Sequence, residues 1–316
     1  MSPAALMLLA WLIEAMLGWP RWLFARIRHP VVWIGALISQ LDHGWNRRDH
    51  SSAIQKLLGG FAALVVISVT ILVAVTISWL LPNTLLGFLA EAAIASSLLA
   101  SRSLYQHVAA VAHSLSADDL AGARNAVSQI VGRDPAQLDE PAIARAAIES
   151  LAENTSDGVV APLFWGVLFG LPGIAAYKAL NTLDSMIGHM STRHRNFGWA
   201  SARLDDLVNL IPARLTAIAF AVAGCSVRAV KVAVRDAQLH RSPNAGWPES
   251  AMAGSIGVRL SGPRSYAGHQ TDEPWVNGEC PDPDDCSIWL GLRLFVTAMV
   301  IVSLFIAVIA LARVIS

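Results

Sequence analysis

Charged residues are scarce in this chain. Only 15% of its 316 residues are Asp, Glu, Lys or Arg, against about a quarter in an average soluble domain, and 54% are hydrophobic. Acidic and basic residues balance at 23 each, so no overall field favours nucleic acid as a partner. The composition argues against an ordinary soluble domain and against a nucleic-acid-binding protein, and it indicates a protein of the lipid bilayer.

The sequence also lacks the common nucleotide and hydrolase motifs. It contains no GxxxxGK[ST] loop, no GxGxxG after a strand, no GxSxG and no HExxH. Any nucleotide site must therefore be unconventional. The N-terminal apolar run has neither a basic leader nor a small-residue cleavage site, so we predict no cleavable signal peptide.

Cysteine is rare, with three residues in the chain. Cys225 lies in an apolar run and is predicted to be a small core residue. Cys280 and Cys286 bracket the sequence Pro-Asp-Pro-Asp-Asp. The two residues could form a disulfide or bind a metal together. We favour plain loop thiols, because nothing else in the sequence reads as a zinc site.

The chain contains several long runs without charged residues. Several approach the roughly 20 residues that cross a bilayer, namely 57–81, 3–17, 83–101, 159–177 and 294–312. They predict an all-α, polytopic membrane bundle with about four to six membrane segments, forming a single membrane-embedded domain over residues 1–316. Residues 102–158 read as a soluble helical insert, with a helix start at Ser116, and 228–290 as a polar loop region.

One run is interrupted at Gly170-Leu-Pro-Gly173. If 159–177 crosses the bilayer, the polar clusters around Glu149 and Asp184 face opposite sides. If it is a re-entrant hairpin they share a side, but the basic stretch 228–241 then falls outside, against its charge. We favour the re-entrant alternative, because the two polar clusters read as parts of one site. Broken helices at membrane depth often mark binding sites. Basic residues between 21 and 56 predict that this loop is cytoplasmic.

Two groups of polar residues adjoin these runs. In the first, Glu149, Glu153 and Asp157 fall within nine residues, and Glu149 and Glu153 share a helix face, where like charges repel unless a cation intervenes. Carboxylates of this kind suit Mg²⁺. The alternative is a solvated helix end with ordinary capping, which spacing alone slightly favours.

The second group follows the interrupted run. Asn181 and Asp184 lie three apart, Asp205 and Asn209 four apart, and these are predicted functional positions beside a membrane segment. Cationic candidates for a phosphate are the residues Lys178, Arg203 and Arg214. The alternative is that Arg203 simply pairs with Asp206, and that Lys178 and Arg214 anchor helices at the interface.

These residues carry a family resemblance. The stretches Glu149-Ser-Leu-Ala-Glu-Asn-(x2)-Asp-Gly-Val-Val-Ala-Pro, Pro172-Gly-(x3)-Tyr-Lys-Ala-(x)-Asn-Thr-Leu-Asp-Ser-Met186 and Phe197-Gly-Trp-Ala-Ser-Ala-Arg-Leu-Asp-Asp206 resemble signatures of the CobD/CbiB family. Ser242-Pro-Asn-Ala-Gly-Trp-Pro248, His29-Pro-Val and Ile130-Val-Gly-Arg-Asp134 extend the match in order. The chain departs from the family at Gly18-Trp19-Pro20, which lacks an acid, and at Pro135, where threonine is usual.

The resemblance implies an adenosylcobinamide-phosphate synthase of cobalamin biosynthesis. Such an enzyme joins the f-propionate carboxyl of adenosylcobyric acid, a corrinoid, to (R)-1-aminopropan-2-ol or its O-phosphate, with ATP and Mg²⁺. It implies an inner-membrane protein with a cytoplasmic-facing site, and complexes with other membrane enzymes of the pathway. The residues then expected to act as catalytic groups are Glu149, Glu153, Asp157 and Asp184. Metal candidates are these four with Asp205 and Asp206, and substrate or phosphate candidates are Lys178, Asn181, Arg203, Asn209, Arg214 and Asn244.

Two functions from other classes compete. A corrinoid transporter would also have broken helices and intramembrane acids, although no internal repeat is visible. An AmpE-like membrane sensor or scaffold would resemble the family broadly, but would not need the acidic motifs that this chain retains.

Overall fold

The chain is almost entirely helical in the computed structural model, which describes residues 2–131, 136–189, 191–266, 269–271 and 273–315. The last three residues of one family-like stretch, Gly132–Asp134, and the departure at Pro135 lie outside them. In chain order the α-helices are α1 (Pro3–Leu17), α2 (Arg21–Ile27), α3 (Pro30–Trp45), α4 (Ser52–Leu80), α5 (Leu85–Ser96), α6 (Ser101–Ser116), α7 (Leu120–Val127), α8 (Glu140–Thr155), α9 (Ala161–Leu183), α10 (Trp199–Val208), α11 (Leu210–Ala223), α12 (Val227–Asp236), α13 (Gly246–Ile256) and α14 (Asp285–Ile315). Two π-helical turns, π1 (Ser156–Val160) and π2 (Asp184–Gly188), flank α9, and a 3₁₀ turn (Ala237–Leu239) follows α12. The predicted all-α class is confirmed.

The remaining regular structure is two small antiparallel strand pairs. The strands are β1 (Leu260–Ser261), β2 (Arg264–Tyr266), β3 (His269–Thr271) and β4 (Trp275–Val276). Strand β1 pairs with β4, placing Leu260 opposite Val276, and β2 pairs with β3. The stretch 228–290, expected as a polar loop region, is thus more ordered than predicted and also holds α12 and α13.

Four stretches of helix within the described residues are long and apolar enough to cross a membrane, and five if the α10–α11 pair, bent by 45°, counts as one. The four are Ser52–Leu80, Leu85–Ser116, Glu140–Gly188 and Asp285–Arg313. Helix α4 is about 43 Å long at 1.5 Å per residue, enough for a hydrocarbon layer of about 30 Å. It exposes large apolar side chains such as Leu64, Leu72 and Trp79, as expected of a lipid-facing helix. The chain is a multi-pass membrane protein.

Local signals explain several helix starts. The Ser51 hydroxyl accepts a hydrogen bond from the Ile54 amide at the start of α4. Asp139 caps α8, whose first turn contains Pro141, as proline is favoured at a helix start. The predicted start at Ser116 is wrong: Ser116 ends α6, and Asp119 caps α7 by accepting from Gly122 at 2.8 Å. Aspartate is as good a cap as serine, so the sequence offered two candidates three residues apart.

The chain forms two compact units. The first comprises Met1–Ala100, Ala161–Asn209 and Ile306–Ser316, and the second comprises Ser101–Val160 and Leu210–Phe305. The expected insert 102–158 therefore belongs to a unit that also includes the α11–α13 region. The apolar residues of α6 recur at helical spacing and are buried: Leu104, Val108, Val111 and Leu115.

The first unit packs small and branched residues of α3, α4, α9 and π2 around Phe197. Buried there are Ile38, Ala62, Ala63, Val66, Ala179, Leu180, Leu183, Ile187 and Phe197. The apolar stretch 30–41 is too short to span a bilayer. It is most of α3 and packs on α4 and α9.

Helix α9 is a hairpin within the first unit. Gly170 has φ +67° and ψ −150°, a conformation outside the helical region that glycine tolerates. A Cβ at Gly173 would lie 2.3 Å from the Trp165 carbonyl oxygen, eight residues earlier, whereas eight residues of straight helix span about 12 Å. The chain therefore reverses at Gly170, and the hairpin of two half-helices predicted at Gly170–Gly173 is confirmed.

The second unit is held by helix packing of α11, α12 and α13 and by a polar network around its strands. Cys280 and Cys286 are free thiols, as predicted. Cys225 is also free, but it is exposed, so its predicted place in the core is wrong. It follows the end of α11 with φ +45°, and the turn there carries its side chain away from the interior.

Candidate functional site

One face of α9 lines a cavity in the first unit. Lys178, Asn181, Thr182 and Ser185 follow the i, i+3, i+4, i+7 spacing that places side chains on one side of a helix. The cavity has a volume of about 590 Å³, within the range of small-molecule sites. Its ten lining residues are Val31, Val32, Gly35, Ala36, Ser39, Lys178, Asn181, Thr182, Ser185 and Met186. The cavity is therefore lined by two of the residues predicted to bind substrate or phosphate, Lys178 and Asn181.

The second feature of this unit is a pair of like charges. The Asp184 carboxylate, at the first position of π2, is repelled by that of Asp206 on α10 and attracted by His189. Arg203 lies 3.7 Å from Asp206 one helical turn away, as the alternative interpretation of this pair expected, but its side chain is 68% exposed. So exposed an ion pair stabilises little. Two neighbouring carboxylates are an arrangement that a divalent cation would stabilise.

Asp205 and Asn209 belong to a buried network instead. Asn209 donates from Nδ2 to Asp205 Oδ2 at 2.9 Å, and the Tyr177 hydroxyl donates to Asn209 Oδ1 at 2.9 Å. All three residues are buried. These hydrogen bonds fix α10 against the second arm of the hairpin, so both predicted residues have a structural use.

A polar chain that the sequence analysis did not single out lies in the same unit. His194 Nδ1 is 3.1 Å from His189 Nε2, and its Nε2 is 3.4 Å from Asp42 Oδ1. Burial acts to raise the pKa of Asp42, but hydrogen bonds from Asn46 and Arg193, with the charges of Arg193 and His194, hold it below its usual value. The sequence signal for this polar chain was Asp42, an aspartate inside the apolar helix α3. A carboxylate that is buried in such a helix requires a hydrogen-bonding or charged partner.

The three acidic residues Glu149, Glu153 and Asp157 of the second unit differ in how deeply they are buried. Glu149 is buried, and its Oε1 accepts a hydrogen bond from the Ser261 amide at 2.7 Å. Glu153, four residues later, is exposed, and Asp157 is half-buried in π1. Asn154 donates to the Ser150 carbonyl of its own helix at 2.9 Å. The shared helix face predicted for Glu149 and Glu153 therefore spans a buried and an exposed environment.

Arg214 and Asn244 come together in the second unit. Arg214 Nη1 donates to the Leu210 carbonyl at 2.7 Å and lies 3.4 Å from Asn244 Oδ1, and its guanidinium stacks over Trp247 at 4.7 Å. Because Leu210 belongs to the same helix as Arg214, this hydrogen bond holds one side of the Arg214 guanidinium in place. Trp247 was quoted in a motif but not predicted as a site residue. Its ring orients Arg214 through a cation–π contact.

Other carboxylates of this unit have arginine partners. Asp282 receives hydrogen bonds from Arg145 and Arg259, and both guanidinium groups also lie over Trp275. Burial opposes ionisation of Asp236, but hydrogen bonds from Arg235 and the Asn277 amide lower its pKa below the usual value. These acids are structural.

A magnesium ion fits the first unit by the chemistry of its donors. Mg²⁺ is usually held by one or two carboxylates together with water and substrate phosphates, which matches Asp184 and Asp206. In the part of the chain that the structure describes, three ligand groups converge only at Asp284, Asp285 and Cys286. There Asp284 already caps α14 by accepting from the Ser287 amide at 2.8 Å.

These features define a class: a multi-pass helical membrane protein with a polar pocket and paired acids beside a helical hairpin. The family model described as "CobD/Cbib protein" matches residues 7–295. The chain belongs to the CobD/CbiB family.

Individual relatives agree with that assignment. The chain is 56% identical over 311 residues to the cobalamin biosynthesis protein CobD of Rhodobacter capsulatus, covering 98% of each. It is 50% identical over 280 residues to that of Rhizobium meliloti, 86% of each, and 44% identical over 300 residues to that of Brucella anthropi, 92% of each. No solved structure matches.

Proposed function

We propose that this chain acts in cobalamin biosynthesis as an ATP-dependent amide synthase. It joins the f-propionate carboxyl of adenosylcobyric acid to (R)-1-aminopropan-2-ol or its O-phosphate, giving adenosylcobinamide or its phosphate. The family and the names of its relatives support the pathway. The reaction is proposed from the resemblance together with the site in the first unit.

The observation that carries this proposal is the juxtaposition at the end of α9. Lys178 and Asn181 face a small-molecule cavity, while the next turn places Asp184 beside Asp206. A phosphoryl-transfer site needs cationic and amide donors for phosphate and carboxylates for a divalent ion. Lys178 and Asp184 lie six residues apart, which is fewer than two helical turns, and Asp206 comes from α10, which packs on π2.

The chemistry explains why such a site is required. A carboxylate is a poor acyl donor, so its oxygen attacks the γ-phosphorus of ATP, forming an acyl phosphate and releasing ADP. The amine nitrogen then attacks the carbonyl carbon, the C–O bond to phosphate breaks, and inorganic phosphate leaves. One proton of the original ammonium must pass to a base before the attack, and a second is lost as the amide forms.

Roles follow for the chain's own residues. Asp184 and Asp206 hold Mg²⁺, which supplies charge neutralisation for the phosphates when bound. Lys178 and Asn181 hold a phosphate group. Arg214, Asn244, Glu149, Glu153 and Asp157 of the second unit, and Asp205 of the first, remain predictions from the resemblance.

The proposed site faces the cytoplasm at the inner membrane. The lining of the cavity begins at Val31, three residues after Arg28 in the basic stretch that contains Arg26. A loop rich in lysine and arginine is retained on the cytoplasmic side. ATP and soluble amine are then directly accessible, while the amphiphilic corrinoid can approach along the bilayer surface.

The test uses purified protein in nanodiscs with adenosylcobyric acid, either form of the amine, ATP and Mg²⁺. We expect the amide product, measured by mass spectrometry, to equal the ADP released and to require both ATP and Mg²⁺. Corrinoid movement into vesicles without amide product would instead establish a transporter. Corrinoid binding with neither outcome would establish a sensor or scaffold.

A further inference from the structure

Exposed cations lie together at the first turns of the membrane-spanning helix α4. Arg47, Arg48 and Lys56 are exposed ahead of the apolar run 57–81, and Arg195 is exposed in the segment that precedes α10. The side chains of Arg47, Arg48 and Arg195 make no hydrogen bond or ion pair with any residue that the structure describes. Their charges are therefore available to a ligand.

The side chain of Gln55 gathers these cations. Its Nε2 donates to the Arg47 carbonyl at 2.9 Å, and its Oε1 accepts from Asn196 Nδ2, 141 positions away in sequence, at 3.0 Å. Arg195 precedes Asn196 in the chain, and Lys56 follows Gln55. One amide side chain thus holds the segment that carries Arg195 against the segment that carries the other cations.

Two features place this group at the surface of the bilayer. Lys56 is the last charged residue before the run 57–81, and Leu57 and Phe61, which follow it, are 73% and 53% exposed, as expected of side chains in lipid. Lys56 Nζ also lies 5.5 Å from the ring centroid of Trp199, which is 48% exposed. Exposed tryptophan and lysine side chains are enriched where headgroups meet hydrocarbon. The cations therefore lie at the depth of the headgroup phosphates.

Few acids accompany these cations. Asp49 is the one acidic residue in the sequence 43–56, and the sequence 191–200 contains none. The buried carboxylate of Asp42 is already bound by Arg193, whose Nη2 lies 2.6 Å from Asp42 Oδ2. The surface therefore has an excess of positive charge, and neighbouring cations repel one another unless an anion lies among them. An anion that is itself held at the bilayer surface fits this place.

We propose that this group of cations binds the headgroup of an anionic phospholipid. We call it the juxtamembrane patch, and its members are Arg47, Arg48, Lys56 and Arg195. Guanidinium groups bind phosphate oxygens in a bidentate manner, and the acyl chains of the lipid would lie along the exposed Leu57. Clusters of four or more cations beside a membrane-spanning helix recognise anionic lipids. This inference is independent of the proposed amide synthase reaction.

The test measures the binding of dansyl-labelled phosphatidylglycerol to the purified protein in detergent, by energy transfer from tryptophan. Unlabelled phosphatidylglycerol should displace the probe at a concentration at least about 10-fold lower than phosphatidylcholine, which has no net charge. The patch variant combines Arg47→Gln, Arg48→Gln and Arg195→Gln, and it keeps Lys56 because that side chain packs on Trp199. It should bind at least about 10-fold more weakly, since each cation near a membrane surface contributes about fivefold.

Three controls accompany the patch variant. Lysine in place of the same three arginines conserves the charge and should keep most of the affinity. A matched variant that removes three exposed cations of the second unit, Arg102→Gln, Lys231→Gln and Arg241→Gln, should bind as wild type does. Raising NaCl from about 0.1 M to about 1 M should weaken wild-type binding, because the Debye length falls from about 10 Å to about 3 Å.

Several results would overturn the proposal. Equal displacement by the two phospholipids, or an equal loss of affinity in the patch variant and the matched variant, would show that the patch does not select an anionic headgroup. Displacement of the probe by ATP or inorganic phosphate would assign the cations to a soluble phosphate ligand instead. The unfolding temperature in lipid-free detergent should be the same for the patch variant and wild type. The salt titration needs no variant, so unchanged wild-type binding at about 1 M NaCl would also exclude the patch.

Discussion

The carboxylates of the second unit differ from the Asp184–Asp206 pair of the first in what surrounds them. In the second, Asp282 lies between two arginines, Asp236 is held by Arg235 and a backbone amide, and buried Glu149 accepts from the Ser261 amide. In the first, Asp184 lies beside another acid, Asp206. Compensated acids stabilise a fold, whereas adjacent acids cost free energy unless a ligand intervenes. We therefore expect a metal ion at Asp184 and Asp206 of the first unit rather than among the acids of the second, although the sequence has acidic clusters in both.

The largest effect expected from this contrast is at Asp184. Asp184→Asn removes one of the two charges that would hold Mg²⁺, and several kcal/mol of charge stabilisation correspond to a loss in kcat of about 1,000-fold. Thermal stability should be unchanged or slightly higher, because a repulsion is relieved. Turnover and unfolding in detergent would both be measured, with exposed Asp49→Asn as the matched control. Near-normal turnover would exclude Asp184 from the site.

Glu149 tests whether the second unit's acids are structural. Glu149→Ala leaves the buried Ser261 amide without this acceptor, which should lower the free energy of unfolding by about 2 kcal/mol. Glu149→Gln keeps an acceptor oxygen and should retain most of the stability and the turnover. Denaturant titration and the amide assay would report these separately. A stable Glu149→Gln protein without activity would restore Glu149 as a metal or catalytic residue.

Asp282 should have a smaller effect. Its side chain is 31% exposed, so Asp282→Asn should lower the free energy of unfolding by only about 1 kcal/mol, even though two arginines lose an ionic partner. Turnover per folded molecule should stay as in wild type. Glu140→Gln, an exposed acid of the same unit, provides the control. A loss of turnover at full stability would contradict a structural role.

His29 should give the smallest effect, and one that depends on pH. Burial, with the nearby charge of Lys178, lowers the pKa of His29 below 6.5, although a hydrogen bond to the Ser97 backbone opposes this. The unfolded chain then binds a proton more readily than the folded one, so stability falls as pH drops below 6.5.

The matched variant is His29→Asn, which keeps an acceptor for the Val31 amide at the start of α3. The decrease in Tm between pH 7.5 and pH 5.5 should be smaller in this variant, by about 2 °C. An equal decrease in both proteins would show that His29 contributes nothing to the pH dependence.

The sequence predicted what depends on local pattern. The apolar runs and the break at Gly170 appear as expected, because each arises from residues close in the chain. Ser116 was misassigned because Asp119 competes for the same capping role. Cys225 was misassigned because hydropathy does not report a turn with positive φ.

The site was less predictable, since it depends on contacts distant in sequence. Spacing related Asn181 to Asp184, but not Lys178 to Val31 across the cavity, nor Asp184 to Asp206. The Asp42–His194 contact joins residues about 150 positions apart. No periodicity in one sequence reveals such a pair.

The two π-helical turns have a genetic consequence. Each holds one residue more than an α-helical turn, and one contains Asp157 while the other begins at Asp184. At the level of the gene, each turn is equivalent to one inserted codon. At π1, where α8 precedes and α9 follows directly, an in-frame loss of that codon would rewind the segment into a regular helix and leave the later core residues in phase. A single-codon deletion there is therefore the lesion that would spare the packing of the helices while redirecting Asp157.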